Sequence, residues 1–559
     1  MVSLLIAIFI LSNTINRSQA PAVNAHYACE GMVVSAHPLA TEVGLAVLKA
    51  GGNAFDAAIA VEFTLAVVFP AAGNIGGGGF ALLHTADGEV KALDYREQAA
   101  SAMQARYYLE EDGTPIPGAS TLGPLAVGIP GTVAGMYALH AQYGQLPWFD
   151  LLNPAIQLAS AGWQLTAKES DLLNEHRKSL RALNGDCYLC SEIPYQAGQL
   201  MKNEVLAQTL TRIRDEGAFD FYQGYTAEKL SDFMRDHGGI ITQTDLEHYQ
   251  AIWRQPLVGR FQKYDVLSMG PPSSGAVVVL QMLQMLEDLP LHKWSPTDPR
   301  YVHHFAEAAR RAYADRATHL GDPAFYPVPV EQLLAPEYLD KRKSSIKSKK
   351  ASKSTDIQAG FFELTEKDET THYIVVDGNR NIMSATTSLN GAYGSKVIVP
   401  ELGFLLNNTI DDFSMAPGLA NSYGLVGSAA NAPQGGKRML SSMSPTIVLE
   451  DGLPVLVTGS PGGSTIPTTV VQVLLNSLVH EMNAQQAVTM PRFHHQWLPD
   501  EVQYESGSIS KRARRILGRE GHTLRERKPY GRAECVRIHG DGTLEGGADP
   551  RGDDTVLGR

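Results

Sequence analysis

A run dense in lysine and serine, Lys341 to Lys353, separates two stretches of this chain that obey different periodicities. Before it, from roughly residue 100 onward, apolar side chains recur at helical spacing, with glycine and proline punctuation at Gly128-Ile-Pro-Gly131 and Gly270-Pro-Pro-Ser-Ser-Gly275. After it the pattern becomes that of strands: His372 to Asp377, a Gly-Asn turn, then Ile382 to Leu389. Lysine and serine at such density bury too little apolar area to offset the entropy of ordering, so the run is expected to be a solvated linker.

Sheet and helix signals also occur elsewhere. Phe80 to Thr85 and Glu89 to Tyr95, joined by Ala-Asp-Gly, predict a hairpin, as do Thr446 to Leu449 and Pro454 to Thr458 about Asp451-Gly452. A helix is expected from about Pro467 to Glu481. Near the start, a helix from Leu39 ends at Gly51-Gly52, and Asn53 or Asp56 can begin a second, apolar one. Between them and the first hairpin lies Asn74-Ile-Gly-Gly-Gly-Gly-Phe80, which lacks the context of a phosphate loop and reads as tight backbone packing. Together these signals predict an α+β fold with helices on the outer faces of sheets.

A net charge of -12 argues against a nucleic-acid partner, which requires clustered basic surface. The apolar stretch Leu4 to Leu11 and the polar segment ending in Ser18-Gln19-Ala20-Pro21 fit a signal peptide over residues 1–20, hence a secreted or periplasmic protein. Eight apolar residues are too few for a bilayer span, which takes roughly 20, so no membrane span is expected beyond that segment. Cys187-Tyr-Leu-Cys190 has the spacing of half a zinc site, yet no second pair or nearby histidine completes one. A local disulfide or two free thiols is expected there, and the chain shows neither a metal-ligand set nor a cofactor motif.

Glu369-Thr370-Thr371-His372-Tyr373 stands between the linker and the first strand that follows it. A hydroxyl residue at a strand start is ordinarily a surface or capping group. Its surroundings change that reading: Ala36-His-Pro-Leu-Ala-Thr41, Gly51-Gly-Asn53, Ile75-Gly-Gly-Gly-Gly-Phe80, Asp94-Tyr-Arg-Glu97, Asn407-Asn408 with Asp411-Asp-Phe413, Leu440-Ser-Ser-Met-Ser-Pro445, Gly459-Ser-Pro-Gly-Gly463 and Arg492-Phe-His-His-Gln-Trp497. In these motifs, from near Cys29 to near Asp554, the chain resembles the γ-glutamyltransferase family of amino-terminal nucleophile hydrolases.

The resemblance implies a four-layer αββα sandwich made as a precursor that cleaves itself between Glu369 and Thr370. A large subunit, 21–369, and a small subunit, 370–559, would then form one αββα unit as a heterodimer. It implies that Thr370 is the nucleophile, that Gly462 and Gly463 form the oxyanion hole, and that Ser388 orients the nucleophile. Arg96, Asn390, Thr409, Asp412, Ser441 and Ser442 would bind a γ-glutamyl substrate such as glutathione, with Tyr423 on a lid loop. The chemistry is coherent: a free α-amine titrates near neutral pH and can serve its own hydroxyl as base, which an internal threonine cannot have. Thr409 departs from the family, whose members usually carry Glu or Gln there, and the change weakens the expected grip on the substrate ammonium. Ser388, where threonine is common, keeps its hydroxyl. Two alternatives are an acylase of the same architecture acting on glutaryl-type amides, and a catalytically silent homologue used for binding.

Overall fold

The computed structural model describes residues 24–357, 370–415 and 427–559. The expected leader, Glu369 at the junction and Tyr423 on the lid loop lie outside the described residues.

Two seven-stranded sheets form the centre. In one, the strand Thr371–Val376 lies between Met32–Ser35 and Ile382–Ser388, antiparallel to both, and the hairpin Gly78–His84 and Val90–Tyr95 extends the sheet on the far side of Ile382–Ser388. The other contains the hairpin Thr446–Glu450 and Leu453–Gly459, flanked by Tyr264–Ser268 and Glu534–Ile538. Alternation along the strands explains the layering. Tyr373 and Val375 belong to one apolar core with the helix Ala54–Val68, whereas Ile374 and Val376 join a second core with Ile447, Val457 and Val536 of the facing sheet. On the outside of that second sheet lie the helices Gly275–Leu286, Pro299–His319 and Ile466–Leu478, giving the αββα order.

The local signals account for most of these elements. Asn53 caps Ala54–Val68 by accepting from the Phe55 and Asp56 N–H groups, and Asp56 reciprocates to the Asn53 N–H. The glycine run is a place of close approach: a side chain on Gly77 would collide with the Ser388 carbonyl oxygen. Cys187 and Cys190 form a local disulfide. The lysine-rich run is solvated as expected at its lysines, but it is not a plain linker. Lys341 to Lys343 complete the helix Pro336–Ser344, and the following segment is pinned by Ser352, whose N–H and hydroxyl donate to Glu307, and by Ser354, whose N–H donates to Asp500. Lys347, Lys349, Lys350 and Lys353 nevertheless remain exposed. Short polar contacts from serine, invisible to a composition argument, order the backbone while the charges stay in water.

Candidate active site

Thr370 stands immediately before its strand, almost wholly buried. The paired register Thr371↔Thr387 brings it beside Ser388 at the end of the neighbouring strand. The two hydroxyl oxygens lie 3.4 Å apart, longer than a well-formed O–H···O bond. Ser388 Oγ is held by the Asn390 N–H at 2.7 Å, and Asn390, at φ 78°, donates through its side chain to the Asn408 carbonyl at 3.0 Å. Asparagine tolerates this left-handed conformation better than most residues, which is one reason the chain can turn back here.

A small cleft, partly open to solvent, is lined by Thr370, Ser388, Asn390, Arg96, Asp412, Ser441, Ser442 and Gly463, among others. Arg96 leaves the end of the strand Val90–Tyr95 and is fully buried. Its guanidinium is gripped from three sides: by Asp412, by Glu97 at 3.1 Å, and by the Met439 carbonyl at 3.3 Å. Burial raises the Asp412 carboxyl to about 6, against the opposing pull of Arg96, and raises Glu97 to about 7 by the same contest.

Sequence reasoning missed a second cation. Arg316, on the helix Pro299–His319, donates to Ser274 Oγ at 3.0 Å and to Ser442 Oγ at 3.1 Å. Burial lowers its pKa to about 10, with Tyr313 and Asp412 opposing. Ser274 in turn donates from both its N–H and its hydroxyl to the Ser441 carbonyl, each at 2.8 Å. The Pro-Pro-Ser-Ser turn, read from sequence as punctuation only, is thus the scaffold for the Ser441-Ser442 pair. Arg96 and Asp412 on the cleft wall offer one cation and one acid, the complement of a zwitterionic head, with Glu97 and Arg316 bonded behind them to Arg96 and Ser442.

Gly462 and Gly463 connect the strand Leu453–Gly459 to the helix Ile466–Leu478, as expected. Gly462 adopts φ 128°, and its carbonyl is locked by the Thr465 N–H and hydroxyl at 2.9 and 2.7 Å. Both glycine N–H groups therefore stand at the unpaired start of a helix, where an anion is favoured. Thr409 is placed differently from expectation. It is not on the cleft wall; its hydroxyl donates at 2.7 Å to Asn407 Oδ1, and Asn407 also ties Gly76 and Gly128 together.

The model of the gamma-glutamyltranspeptidase family matches residues 40–559. The chain belongs to this family. It is 42% identical over 531 residues to a glutathione hydrolase proenzyme of Pseudomonas sp. (strain A14), spanning 94% of this chain and 92% of that protein. The crystal structure of a cephalosporin acylase from Bacillus halodurans superposes with a TM-score of 0.85 at 26% identity, covering 98% of this chain and 99% of the other. A Helicobacter pylori γ-glutamyltranspeptidase chain matches at a TM-score of 0.57 and 40% identity, covering 62% of this chain and 99% of that one. The expected amino-terminal nucleophile hydrolase fold is therefore the observed one, and the chain is a γ-glutamyltransferase. Among the described residues no helix is long and apolar enough to cross a membrane.

Proposed function

We propose that Thr370 first cleaves its own chain and then acts as the nucleophile on γ-glutamyl amides, glutathione among them. The observation that carries this reading is convergence: Thr370, Arg96, Asp412, Ser442 and Gly463, from segments far apart in the chain, line one cleft. In the precursor the Thr370 hydroxyl attacks the Glu369 carbonyl, the acyl group passes from nitrogen to oxygen, and water hydrolyses the ester. The products are a large subunit ending at Glu369 and a small subunit, 370–559, with a free α-amine beside the attacking hydroxyl.

In turnover the γ-carbonyl of the substrate meets the Thr370 hydroxyl, whose proton passes to the new amine. The developing oxyanion faces the Gly462 and Gly463 N–H groups at the helix start. Arg96 takes the substrate α-carboxylate and Asp412 the ammonium, with Ser441 and Ser442 adding hydroxyl contacts and Asn390 holding the loop. Ser388 orients the nucleophile. The leaving amine, cysteinylglycine from glutathione, departs with a proton, and water or an acceptor amine resolves the γ-glutamyl ester. Export to a secreted or periplasmic location follows from the amino-terminal apolar stretch and is part of the same reading.

Glutaryl-amide acylase activity is the second reading, supported by the withdrawal of Thr409 from the cleft. Asp412 on the cleft wall beside Arg96 favours the γ-glutamyl substrate, because a glutaryl group offers it no cation. Intact-mass measurement should find two chains, the smaller beginning at Thr370, and Thr370→Ala should remain one chain. Release of chromophore from γ-glutamyl anilide should exceed that from glutaryl anilide. A robustly active enzyme that is uncut at Thr370 would falsify the mechanism.

A further inference from the structure

Arg316 is buried on the helix Pro299–His319, behind the Ser441-Ser442 pair rather than on the cleft wall. Its two hydrogen bonds leave from one edge of the guanidinium: Nε donates to Ser274 Oγ at 3.0 Å and Nη2 to Ser442 Oγ at 3.1 Å. A planar fork of this kind fixes the spacing of two acceptors, which a lysine ammonium does not. Ser274 carries the link onward, since its hydroxyl accepts from Arg316 and donates to the Ser441 carbonyl at 2.8 Å. Neighbouring contacts hold the same two segments together. The Ser441 N–H donates to the Pro272 carbonyl at 2.9 Å, and the Ser273 hydroxyl to the Met443 carbonyl at 2.6 Å.

A serine hydroxyl has one proton to give and two lone pairs to fill. On Ser442 one lone pair is taken by Arg316, and the proton cannot point back at a donor. Ser441 is arranged alike, because its Oγ accepts from the Met443 N–H at 3.1 Å. Both side chains line the cleft beside Arg96, so each keeps a proton to offer an acceptor there. An anionic oxygen gains most from two such donors, and the Arg316 charge behind Ser442 strengthens one of them by polarising its O–H bond. Burial lowers the Arg316 pKa to about 10, with Tyr313 and Asp412 opposing, so the group stays cationic at neutral pH.

We propose that Arg316 is a positioning residue for the substrate carboxylate: it holds the Ser442 hydroxyl with its proton aimed into the cleft and, through Ser274, sets the backbone that presents Ser441. This deepens the reading above and rests on its assignment of Ser441 and Ser442 to the carboxylate. Arg96 meets the carboxylate directly, whereas Arg316 acts on it through serine. A glutaryl group carries a carboxylate at the same place in its chain, so the role is the same for either acyl group. The carboxylate is remote from the bond that breaks and is held before as well as during reaction, so a weaker grip shows in KM more than in kcat.

The test compares γ-glutamyl anilide with 4-aminobutyryl anilide, which keeps the ammonium and the acyl chain but lacks the carboxylate. Wild type, Arg316→Met, Arg316→Lys and Ser442→Ala are measured on both. On γ-glutamyl anilide Arg316→Met is expected to lose about 10- to 100-fold in kcat/KM, more through KM than through kcat. Arg316→Lys keeps the charge but not the fork, and its kcat/KM should fall between that variant and wild type. On 4-aminobutyryl anilide each variant should stay within about threefold of wild type, which a general loosening of the cleft would not allow. Combining Arg316→Lys with Ser442→Ala should cost less than the product of the two single losses, by at least about threefold, because both act on one hydroxyl. Equal losses on the two anilides, or fully multiplicative losses in the double variant, would overturn the proposal. Should Arg316→Met fail to fold, Arg316→Lys and Ser442→Ala give the answer by the same comparison. A wild type that cleaves both anilides equally well would sink the carboxylate assignment, and this proposal with it. A wild type that discriminates, with variants that lose equally on both, sinks this proposal alone.

Discussion

Replacing Asp412 by asparagine separates recognition of the substrate ammonium from everything else in the cleft. Asp412 pairs with Arg96, and Glu97 holds the same guanidinium at 3.1 Å, so Arg96 keeps a carboxylate partner after the substitution. What is lost is a charge-assisted contact to a buried ammonium, about 1.5–3 kcal/mol. At 1.36 kcal/mol per factor of ten, kcat/KM for γ-glutamyl anilide should fall about 10- to 150-fold. Glutaryl anilide has no ammonium, and its kcat/KM should stay within about threefold. Protonation adds a second signature. Burial raises the Asp412 carboxyl to about 6 with Arg96 opposing, so in the wild type kcat/KM for the γ-glutamyl substrate should decline as the pH drops through about 6. Asparagine removes the Asp412 part of that decline and leaves the part set by protonation of the Thr370 α-amine. Initial-rate measurements on both anilides from acidic to neutral pH check both points. Equal losses for the two substrates would refute the assignment, since Asp412 would then be acting only by supporting Arg96.

Gly462→Ala should reduce kcat by about 10²–10³ with little change in KM, because a Cβ at φ 128° meets Thr465 Oγ1 at 2.5 Å and turns the N–H from its direction; steady-state kinetics on protein of unchanged circular dichroism would show it. Ser388→Ala removes the acceptor of the Asn390 N–H at 2.7 Å and the hydroxyl 3.4 Å from Thr370, and kcat and the rate of self-cleavage should both fall about tenfold. Glu307→Gln should destabilise the protein above the ordinary glutamate range. Burial would raise this carboxyl, yet Arg310, Ser352 and Arg311 overcome it and hold it at about 2, below the usual 4.5. A depressed folded-state pKa contributes stability that is present above 4.5 and disappears as the pH falls through about 2. The variant should therefore unfold more easily by about 3 kcal/mol near neutral pH and match the wild type near pH 2, as followed by thermal melting.

Family, fold class and most of the cleft were legible in the sequence because their signals are local. Hairpins announce themselves by alternation and turn residues, the helix Ala54–Val68 by its Asn53 cap, and the paired glycines before Ile466 by their position between strand and helix. Motif matches then carried Thr370, Arg96, Asp412, Ser441 and Ser442 to one cleft. Thr409 shows the limit of that transfer. Its hydroxyl donates to Asn407 Oδ1, a contact that the motif does not encode. The lysine-rich run differs from a plain linker for a related reason, since the contacts of Ser352 and Ser354 are with Glu307 and Asp500, remote in the chain.

By itself the sequence determined which segments become strands or helices and which residue types the reaction has available, because backbone propensity, capping and alternation act within a few residues. Only the tertiary structure decided that Arg316 reaches Ser442 and that Arg532 reaches the Thr370 carbonyl. Such pairings depend on strand register and on how two sheets face each other, and the energy of a buried charge is set by whatever the fold brings within a few ångströms of it.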